Sequence, residues 1–295
     1  MKEIVFTGAG VAIVTPMNAD LSVNYERFGA LLDFQLAGGT DAVVVCGTTG
    51  EASTLSDEEH IELIRFTVDY IKGRIPVVAG VGSNDTQYAV WLSKEAEAAG
   101  ADALLHVTPY YNKTSQAGLV RHFFTAADAA DLPVILYNVP SRTGLNIQPE
   151  TYLKLSEHPN IVATKEAGGN ISEIARTARL CGENLTIYSG NDDQIVPLMS
   201  LGAKGVISVL SNIMPREAHD ICRLYLENKP GESAALQLRL LDLINALFID
   251  VNPIPVKAAL NLMGFQAGEC RLPLAPMSGH GLEALEDAMR VQGLI

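Results

Sequence analysis

Short runs of apolar, mostly β-branched residues recur along the first three-quarters of the chain, and stretches with a helical spacing of apolar positions separate them. The runs are nearly continuous in apolar character. That pattern is typical of parallel strands whose two faces are both buried. It predicts eight strands, at residues 10–15, 42–46, 76–80, 103–108, 134–137, 161–165, 186–189 and 205–209.

Capping residues and glycines indicate the helices between these strands. Ser56 and Glu59 have the spacing of a capping box, which begins a helix that runs to about Lys72. Glycines follow three further helical patterns, at residues 25–37, 86–99 and 171–181, as is usual at helix C-termini. Strands and helices therefore alternate in units of roughly 20–35 residues.

Alternation of eight strands with eight helices predicts the α/β class and, within it, a (β/α)8 TIM barrel. A doubly wound open sheet alternates in the same way and is the alternative, because a strand count does not show closure. After residue 228 the strand pattern stops, and helices are predicted at 233–248, 255–263 and 282–291. We therefore predict a catalytic barrel at 1–228 and a C-terminal α-helical domain at 229–295, whose leucine stripe serves packing.

Composition excludes several classes of function. The chain has 295 residues, 48% of them hydrophobic, and a formal net charge of −13. It lacks a basic cluster, so nucleic-acid binding is not expected. Neither a signal-peptide pattern nor an apolar stretch near the ~18 residues of a membrane span occurs, so no membrane association is expected. Four scattered cysteines without a CxxC pair indicate a reducing compartment, and a cytoplasmic protein is predicted.

Lys165 closes the sixth predicted strand, in the sequence IVATKEAGG. A low-dielectric environment lowers the pKa of a lysine and frees its neutral amine to attack a carbonyl. A single lysine at such a position can also extend its ammonium group to water. The neighbouring strand ends favour the nucleophile, because TIM barrels carry their active sites there. Glu166 is not expected to be the catalytic base, since strand alternation turns it to the opposite face.

Polar residues suited to a small keto acid follow other strands. Thr48 and Thr49, in the sequence GTTG, offer hydroxyls and backbone amides to a carboxylate, although such a segment is also an ordinary turn. Tyr137 can donate or accept a proton in the same cavity, or can be core. Arg142 can bind a second carboxylate, or can be an exposed loop residue. The histidines lack metal-site spacing and no phosphate loop is complete, so neither a metal nor a nucleotide is expected.

From Gly8 to about Pro276 the chain resembles the dihydrodipicolinate synthase family. That family belongs to the pyruvate-dependent class I aldolases, which also include N-acetylneuraminate lyase. The motifs that carry the resemblance are GTTGE at 47–51, TPYYN at 108–112, YNVPSRTG at 137–144, KEA at 165–167, SGND at 189–192 and GVISV at 205–209.

The resemblance implies condensation of pyruvate with L-aspartate 4-semialdehyde, in the diaminopimelate route of lysine biosynthesis. Lys165 is implied to form the Schiff base with pyruvate, without a metal or a diffusible cofactor. The residues implied to hold the pyruvate carboxylate are Thr48 and Thr49. The carboxylate of the aldehyde is implied to bind Arg142.

The remaining site residues are also implied by the resemblance. Thr49, Tyr137 and Tyr111 are implied to form a hydroxyl relay for protons, with Tyr111 inserted from an adjoining subunit. Gly190 and Ile207 are implied to line the pocket. A homo-oligomer follows, either a dimer or a dimer of dimers, the homotetramer common among relatives.

Two alternatives to this activity stay open. The related N-acetylneuraminate and 2-keto-3-deoxy-sugar-acid lyases share the lysine and the YN-x-P pattern, but they lack an arginine in that loop. An aldehyde with a carboxylate requires such a cation, so Arg142 favours the synthase. The second alternative is a barrel that only binds a keto acid, and the complete set of Lys165, Tyr137, Thr49 and Tyr111 argues against it.

Some members of the family are inhibited by lysine, which binds between two subunits. A residue that is acidic in sensitive relatives is Tyr88 here, and Asp57 occupies a histidine position. Loss of the anion opposite a buried ammonium lowers affinity, so weak or absent inhibition by lysine is expected. The matching positions that keep polar side chains are Ser53, His60, Asn84 and Tyr110.

Overall fold

The computed structural model describes residues 2–277 and 279–295. Its strands are β1 Gly8–Ala12, β2 Ala42–Val45, β3 Val77–Gly80, β4 Ala103–Val107, β5 Val134–Asn138, β6 Ile161–Glu166, β7 Thr186–Ser189 and β8 Gly205–Ser208. All eight pair in parallel and in chain order, and β1 pairs with β8 as well as with β2. This pairing closes the barrel. The predicted TIM barrel is confirmed, and the open-sheet alternative is wrong.

Helices follow every strand and surround the barrel. They are α1 Tyr25–Gly38, α2 Asp57–Ile71, α3 Thr86–Ala98, α4 Gln116–Ala127, α5 Pro140–Thr143, α6 Pro149–Leu155, α7 Ile171–Cys181, α8 Ile195–Ser200, α9 Pro215–Leu226, α10 Pro230–Arg239, α11 Leu241–Ala246, α12 Ile254–Leu262 and α13 Gly279–Val291. The capping box of Ser56 and Glu59 is present at the start of α2. Among the described residues, no helix is long and apolar enough to cross a membrane.

The core has two layers, as expected of a barrel inside a ring of helices. Side chains such as Val44, Ile135 and Ile207 fill the barrel interior, and a larger cluster lies between the strands and the helices. Backbones approach closely at the seam, where a Cβ on Gly205 would lie 1.8 Å from the carbonyl oxygen of Gly8. Glycine is therefore required there.

The first strand begins two residues earlier than predicted and ends three residues earlier. Residues 8–11 pair with β8 and residues 10–12 pair with β2, whereas residues 13–15 lie beyond both registers. The backbone N–H of Val14 donates to the Asn212 side chain at 3.1 Å instead of to a strand. A continuous run of apolar residues indicates a buried segment, but it does not show where strand pairing ends.

The C-terminal segment is helical, as predicted, with different boundaries. The predicted helix at 233–248 is α10 and α11, which meet at Leu240 and begin with Pro230 in the first turn. Leu240, Leu243 and Leu247 are fully buried, as expected of a packing stripe. Helix α12 is joined to the barrel by Lys257, whose Nζ donates to Glu51 at 2.8 Å with both side chains buried. A domain division at residue 228 stays a prediction.

Candidate active site

The centre of the site is Lys165, in the last part of β6. In the register of the sheet it lies between Tyr137 on β5 and Tyr188 on β7. Only 5% of Lys165 is exposed, and its Nζ lies 4.3 Å from the centre of the Tyr137 ring. The amine therefore sits inside the barrel mouth, against an aromatic face that attracts its protonated form.

Burial lowers the pKa of Lys165 to about 8, because removing the ammonium group from water disfavours its charge. Asp192 opposes this shift by attracting the ammonium, whereas Arg142 adds to it by repulsion. Asp192 is 2% exposed, and its Oδ2 accepts the backbone N–H groups of Val209 and Leu210. The sequence did not reveal that Asp192 affects the pKa of Lys165, although Asp192 lies in the SGND motif.

Tyr137 and the two threonines have separate neighbours. Burial raises the pKa of Tyr137, while the Arg142 guanidinium and a hydrogen bond from the Thr48 hydroxyl lower it. The buried Thr49 hydroxyl accepts a hydrogen bond from Asn252 Nδ2 at 3.0 Å. In this geometry the hydroxyl next to the phenol belongs to Thr48, whereas the relay implied by the resemblance uses Thr49.

Arg142 lies in the single turn of α5, at the barrel mouth. Its Nη2 donates to the backbone oxygen of Asn252 at 3.1 Å. The same asparagine thus contacts Arg142 with its backbone and Thr49 with its side chain. Asn252 was missed because the C-terminal segment was expected to serve packing alone. The chain returns to the mouth there, and the spacing of apolar residues gives no signal of such a return.

Arg142, Tyr137 and Thr48 line one cavity of about 400 Å³. Ser53, His60 and Tyr110, from the expected lysine-binding positions, line it too, so the two regions are continuous within one subunit. Asn84 contributes its backbone oxygen, which accepts from Asn112 Nδ2 at 3.0 Å. The cavity is large enough for substrates of a few carbon atoms.

Of the two expected lining residues, Gly190 lies close to Lys165 and Ile207 lies in the barrel interior. Ile207 is fully buried in β8 and belongs to the same interior cluster as Tyr137. A Cβ on Gly190 would lie 3.2 Å from Cγ of Lys165 and 2.8 Å from Cβ of Ala167. Only glycine therefore leaves the lysine side chain its space.

Tyr111 does not join the other site residues within the subunit. Its side chain is 92% exposed, and its backbone adopts a left-handed φ of 66°. A tyrosine in this conformation costs backbone energy, which is typical of functional loops. Glu166, in contrast, is buried on the helix-facing side of β6, where it accepts a hydrogen bond from Tyr152 on α6 at 2.8 Å. Strand alternation predicts this orientation correctly.

Tyr88 changes the expected lysine-binding region. Its hydroxyl donates to Asp57 Oδ1 at 2.5 Å, and burial together with this carboxylate raises the pKa of Tyr88. The carboxylate in this region is therefore that of Asp57 on α2 instead of one on α3. One of its oxygens accepts a hydrogen bond from the Tyr88 phenol. Within the described residues, no three His, Cys, Asp or Glu side chains come together as a metal site.

A closed parallel barrel with a buried, weakly basic lysine at the end of β6 defines a TIM-barrel protein of the class I aldolase type. The dihydrodipicolinate synthetase family model matches residues 5–292. The chain belongs to this family.

Individual relatives agree with the family match over nearly full length. A 4-hydroxy-tetrahydrodipicolinate synthase of Lachnoclostridium phytofermentans is 58% identical over 292 residues, which are 99% of each chain. One of Caldicellulosiruptor saccharolyticus is 57% identical over 290 residues, 98% of each chain. The crystal structure of dihydrodipicolinate synthase from Thermotoga maritima superposes with a TM-score of 0.97 at 41% identity, covering 99% of this chain and 100% of that one.

Proposed function

We propose that this chain is a lyase that condenses pyruvate with L-aspartate 4-semialdehyde, the activity of a 4-hydroxy-tetrahydrodipicolinate synthase. The observation that carries the proposal is the contact of buried Lys165 with Tyr137, which lines a cavity together with Arg142. An amine whose pKa is about 8 is neutral in a useful fraction of molecules near neutral pH. The cationic fork of Arg142 matches a carboxylate on the second substrate.

The reaction starts when neutral Lys165 Nζ attacks the ketone carbon of pyruvate. The carbinolamine loses water and becomes an iminium, with Tyr137 passing the proton to the departing hydroxyl. The iminium then withdraws electrons, so a methyl proton leaves and an enamine forms. The enamine carbon adds to the aldehyde carbon, and the aldehyde oxygen takes up a proton. Finally the amino group of the condensed product attacks the iminium carbon and expels Lys165. Neither a metal nor a diffusible cofactor takes part in any step.

Thr48 and Thr49 have different roles in this scheme. Thr48 contacts the Tyr137 phenol, so we assign to Thr48 the relay position that the family resemblance gave to Thr49. Thr49 accepts its hydrogen bond from Asn252 and keeps its own proton to donate to the pyruvate carboxylate. Gly190 and Ile207 enclose the bound keto acid.

The proposal includes a homo-oligomer. Tyr111 extends away from its own barrel, and an adjoining subunit would receive its phenol as the outer member of the relay. Sedimentation in solution should distinguish a dimer from a homotetramer. A cytoplasmic location is part of the proposal, because both substrates and the four free cysteines fit a reducing compartment.

Borohydride trapping tests the first step. With pyruvate and borohydride, the enzyme should gain the mass of one reduced pyruvyl group per subunit, and peptide mapping should locate it on Lys165. The Lys165→Ala variant should gain nothing, and Lys94→Ala, at an exposed lysine, should behave like the unsubstituted enzyme. A missing adduct would favour a barrel that only binds keto acids.

A coupled assay tests the second substrate. Turnover with pyruvate should be much faster with aspartate semialdehyde than with N-acetylmannosamine, because only the former has a carboxylate for Arg142. The Arg142→Ala variant should lose mainly affinity for aspartate semialdehyde. Faster turnover with the sugar would identify a sugar-acid lyase instead.

A further inference from the structure

Glu166 is buried directly behind the site, and the proposed reaction leaves it without a role. The residue is 6% exposed. Its carboxylate accepts hydrogen bonds from three residues. Asn138 Nδ2 donates to Oε1 and Oε2 at 3.0 and 3.2 Å, the Tyr152 hydroxyl donates to Oε2 at 2.8 Å, and the Gly168 N–H donates to Oε1 at 2.8 Å. A buried carboxylate with this many donors is held in one orientation and fixes its partners in turn.

Asn138 connects Glu166 to the loop that carries Arg142. The loop leaves β5 at Asn138 and rejoins the barrel wall at Ile147, whose N–H donates to Asn138 Oδ1 at 3.1 Å. On its other side, Asn138 Nδ2 also donates to Asn146 Oδ1 at 2.8 Å. One side chain thus closes both ends of residues 139–146, and Glu166 holds that side chain.

The loop has few other fixed points near Arg142. Helix α5 is a single turn, and Arg142 itself is exposed, with one hydrogen bond to the Asn252 backbone oxygen. Thr143 supports the turn from inside, because its hydroxyl accepts from Thr108 at 3.1 Å. Closure at the base by Asn138 therefore limits how far the guanidinium can move before substrate arrives.

Gly168 supplies an independent sign that this network is tightly fitted. A Cβ at that position would lie 2.7 Å from Glu166 Oε1 and 3.5 Å from Asn138 Nδ2. The backbone φ of Gly168 is not in the left-handed region, so backbone conformation alone does not require glycine there. The space beside the carboxylate does require it.

We infer that Glu166 and Asn138 are positioning residues for the second substrate: the Glu166 carboxylate fixes Asn138, which closes the loop and presents Arg142 to the carboxylate of the incoming aldehyde. This inference rests on the proposed function. It assigns to Glu166 of the KEA motif and Asn138 of the YN motif a common task in aldehyde selection, whereas Lys165 and Tyr137 of the same motifs serve Schiff-base formation. Loosening the loop costs affinity because the substrate must then order Arg142 on binding.

Steady-state kinetics of Asn138→Ala provide the test. The KM for aspartate semialdehyde should rise about tenfold while the KM for pyruvate stays within about twofold. Borohydride trapping of pyruvate on Lys165 should be retained. Asn245→Ala, at an exposed asparagine on α11, is the matched control. Both of its KM values should remain within about twofold of the unsubstituted enzyme.

A double-mutant cycle with Arg142→Ala separates positioning from general structural damage. In the Arg142→Ala background, Asn138→Ala should add little further to the aldehyde KM, because both act through one guanidinium. If Asn138→Ala does not fold, Gly168→Ala serves instead and should raise the aldehyde KM by displacing Glu166.

Two results would overturn the inference. They are equal increases in both KM values, and full additivity with Arg142→Ala. Failure of pyruvate trapping in the unsubstituted enzyme would overturn the proposed function itself, and the inference with it. The aldehyde KM and the trapped adduct therefore report on the two proposals separately.

Discussion

Three influences set the pKa of Lys165, and burial is the largest. Loss of water around the ammonium favours the neutral amine, and the Arg142 guanidinium adds repulsion in the same direction. Asp192 favours the charged form and limits the shift. The result is an amine that is a proton donor in one half of the molecules near pH 8 and a nucleophile in the other half.

The pH dependence of the first half-reaction follows from this balance. The nucleophile is the deprotonated amine, so kcat/KM for pyruvate should rise about tenfold per pH unit at low pH and level off above about 8. Asp192→Asn removes the charge that raises the pKa, and the rising limb should move to lower pH. Asp193→Asn, at the exposed neighbour, should leave the limb in place. A shift to higher pH in Asp192→Asn would contradict the assigned interaction.

Neighbouring threonines allow a matched comparison within the GTTG loop. Thr48→Val removes the hydroxyl beside Tyr137, so kcat should fall roughly a hundredfold with a small change in the KM for pyruvate. Thr49→Val removes a donor to the carboxylate, so the KM for pyruvate should rise about tenfold. Steady-state kinetics of both variants check the assignment. The reverse division of effects would return the relay position to Thr49.

Inhibition by lysine is expected to be weak or absent. The Tyr88 hydroxyl donates a hydrogen bond of 2.5 Å to the Asp57 carboxylate. The ammonium of a bound lysine would have to displace this hydrogen bond to reach the carboxylate. Rates at saturating substrate concentrations should change little when L-lysine is added up to about 1 mM, a concentration near the Kd of a weak ligand. Tyr88→Glu restores an acid on α3 and should increase sensitivity several-fold. Strong inhibition of the unsubstituted enzyme below that concentration would refute this expectation.

At the scale of elements, the strand ends determine which residues meet. Continuous apolar runs predicted all eight strands, and in a closed parallel barrel the ends of β2, β5, β6 and β7 lie at one mouth. Asn252 could not be predicted in this way, because it comes from the connection between α11 and α12 and not from a strand end. Nor could the contact between Thr48 and Tyr137, since it depends on the path of a turn that follows its strand. The spacing of apolar residues indicates which positions are buried, but it does not show which loops return to the site.

The outer face of β4 carries a histidine whose titration should affect the stability of the barrel. His106 is fully buried against α3, where Ser93 Oγ lies 3.2 Å from its Nε2, and His122 of α4 is nearby. Burial lowers the pKa of His106 to about 3 from its usual value of 6.5. The unfolded chain therefore binds this proton first as the pH falls. The contribution of His106 to stability is complete above about pH 6.5 and is lost progressively towards pH 3.

Unfolding in urea at fixed protein concentration measures this contribution. Between pH 7 and pH 5 the wild-type free energy of unfolding should fall by about 2 kcal/mol because of His106. His106→Gln should lack that part of the decrease, whatever its stability at pH 7. His280→Gln, at an exposed histidine, should follow the wild type. Parallel pH dependence of all three proteins would show that the pKa of His106 is the same in the folded and the unfolded chain, and it would contradict this prediction.

At the scale of the whole molecule, two parts of the chain beyond the strands complete the mouth. The C-terminal segment supplies Asn252, and α12 anchors the GTTGE loop through the buried pair of Lys257 and Glu51. A buried ion pair is costly to break, so this anchor resists independent motion of the two parts. The second part is Tyr111, which is 92% exposed and, in the proposed function, completes the site of an adjoining subunit.

Complementation between two defective chains tests whether Tyr111 acts across an interface. Lys165→Ala lacks the nucleophile, and Tyr111→Phe keeps it but loses the phenol. When both are co-expressed with different tags, half of the dimers are mixed, and each mixed dimer should contain one site with an intact lysine and an intact phenol. Activity should then recover to about a quarter of the wild-type value per subunit, as a symmetric two-site interface requires.

The control pairs Lys165→Ala with the double variant Lys165→Ala/Tyr111→Phe, and no site in that mixture contains Lys165. Its activity should stay at the level of Lys165→Ala alone. If Tyr111 served its own barrel, the first mixture would give only the average of its two parents, because no exchange of subunits could then rebuild a site. Recovery above that average therefore requires a phenol donated by a second subunit, and it would make the oligomer a condition of catalysis.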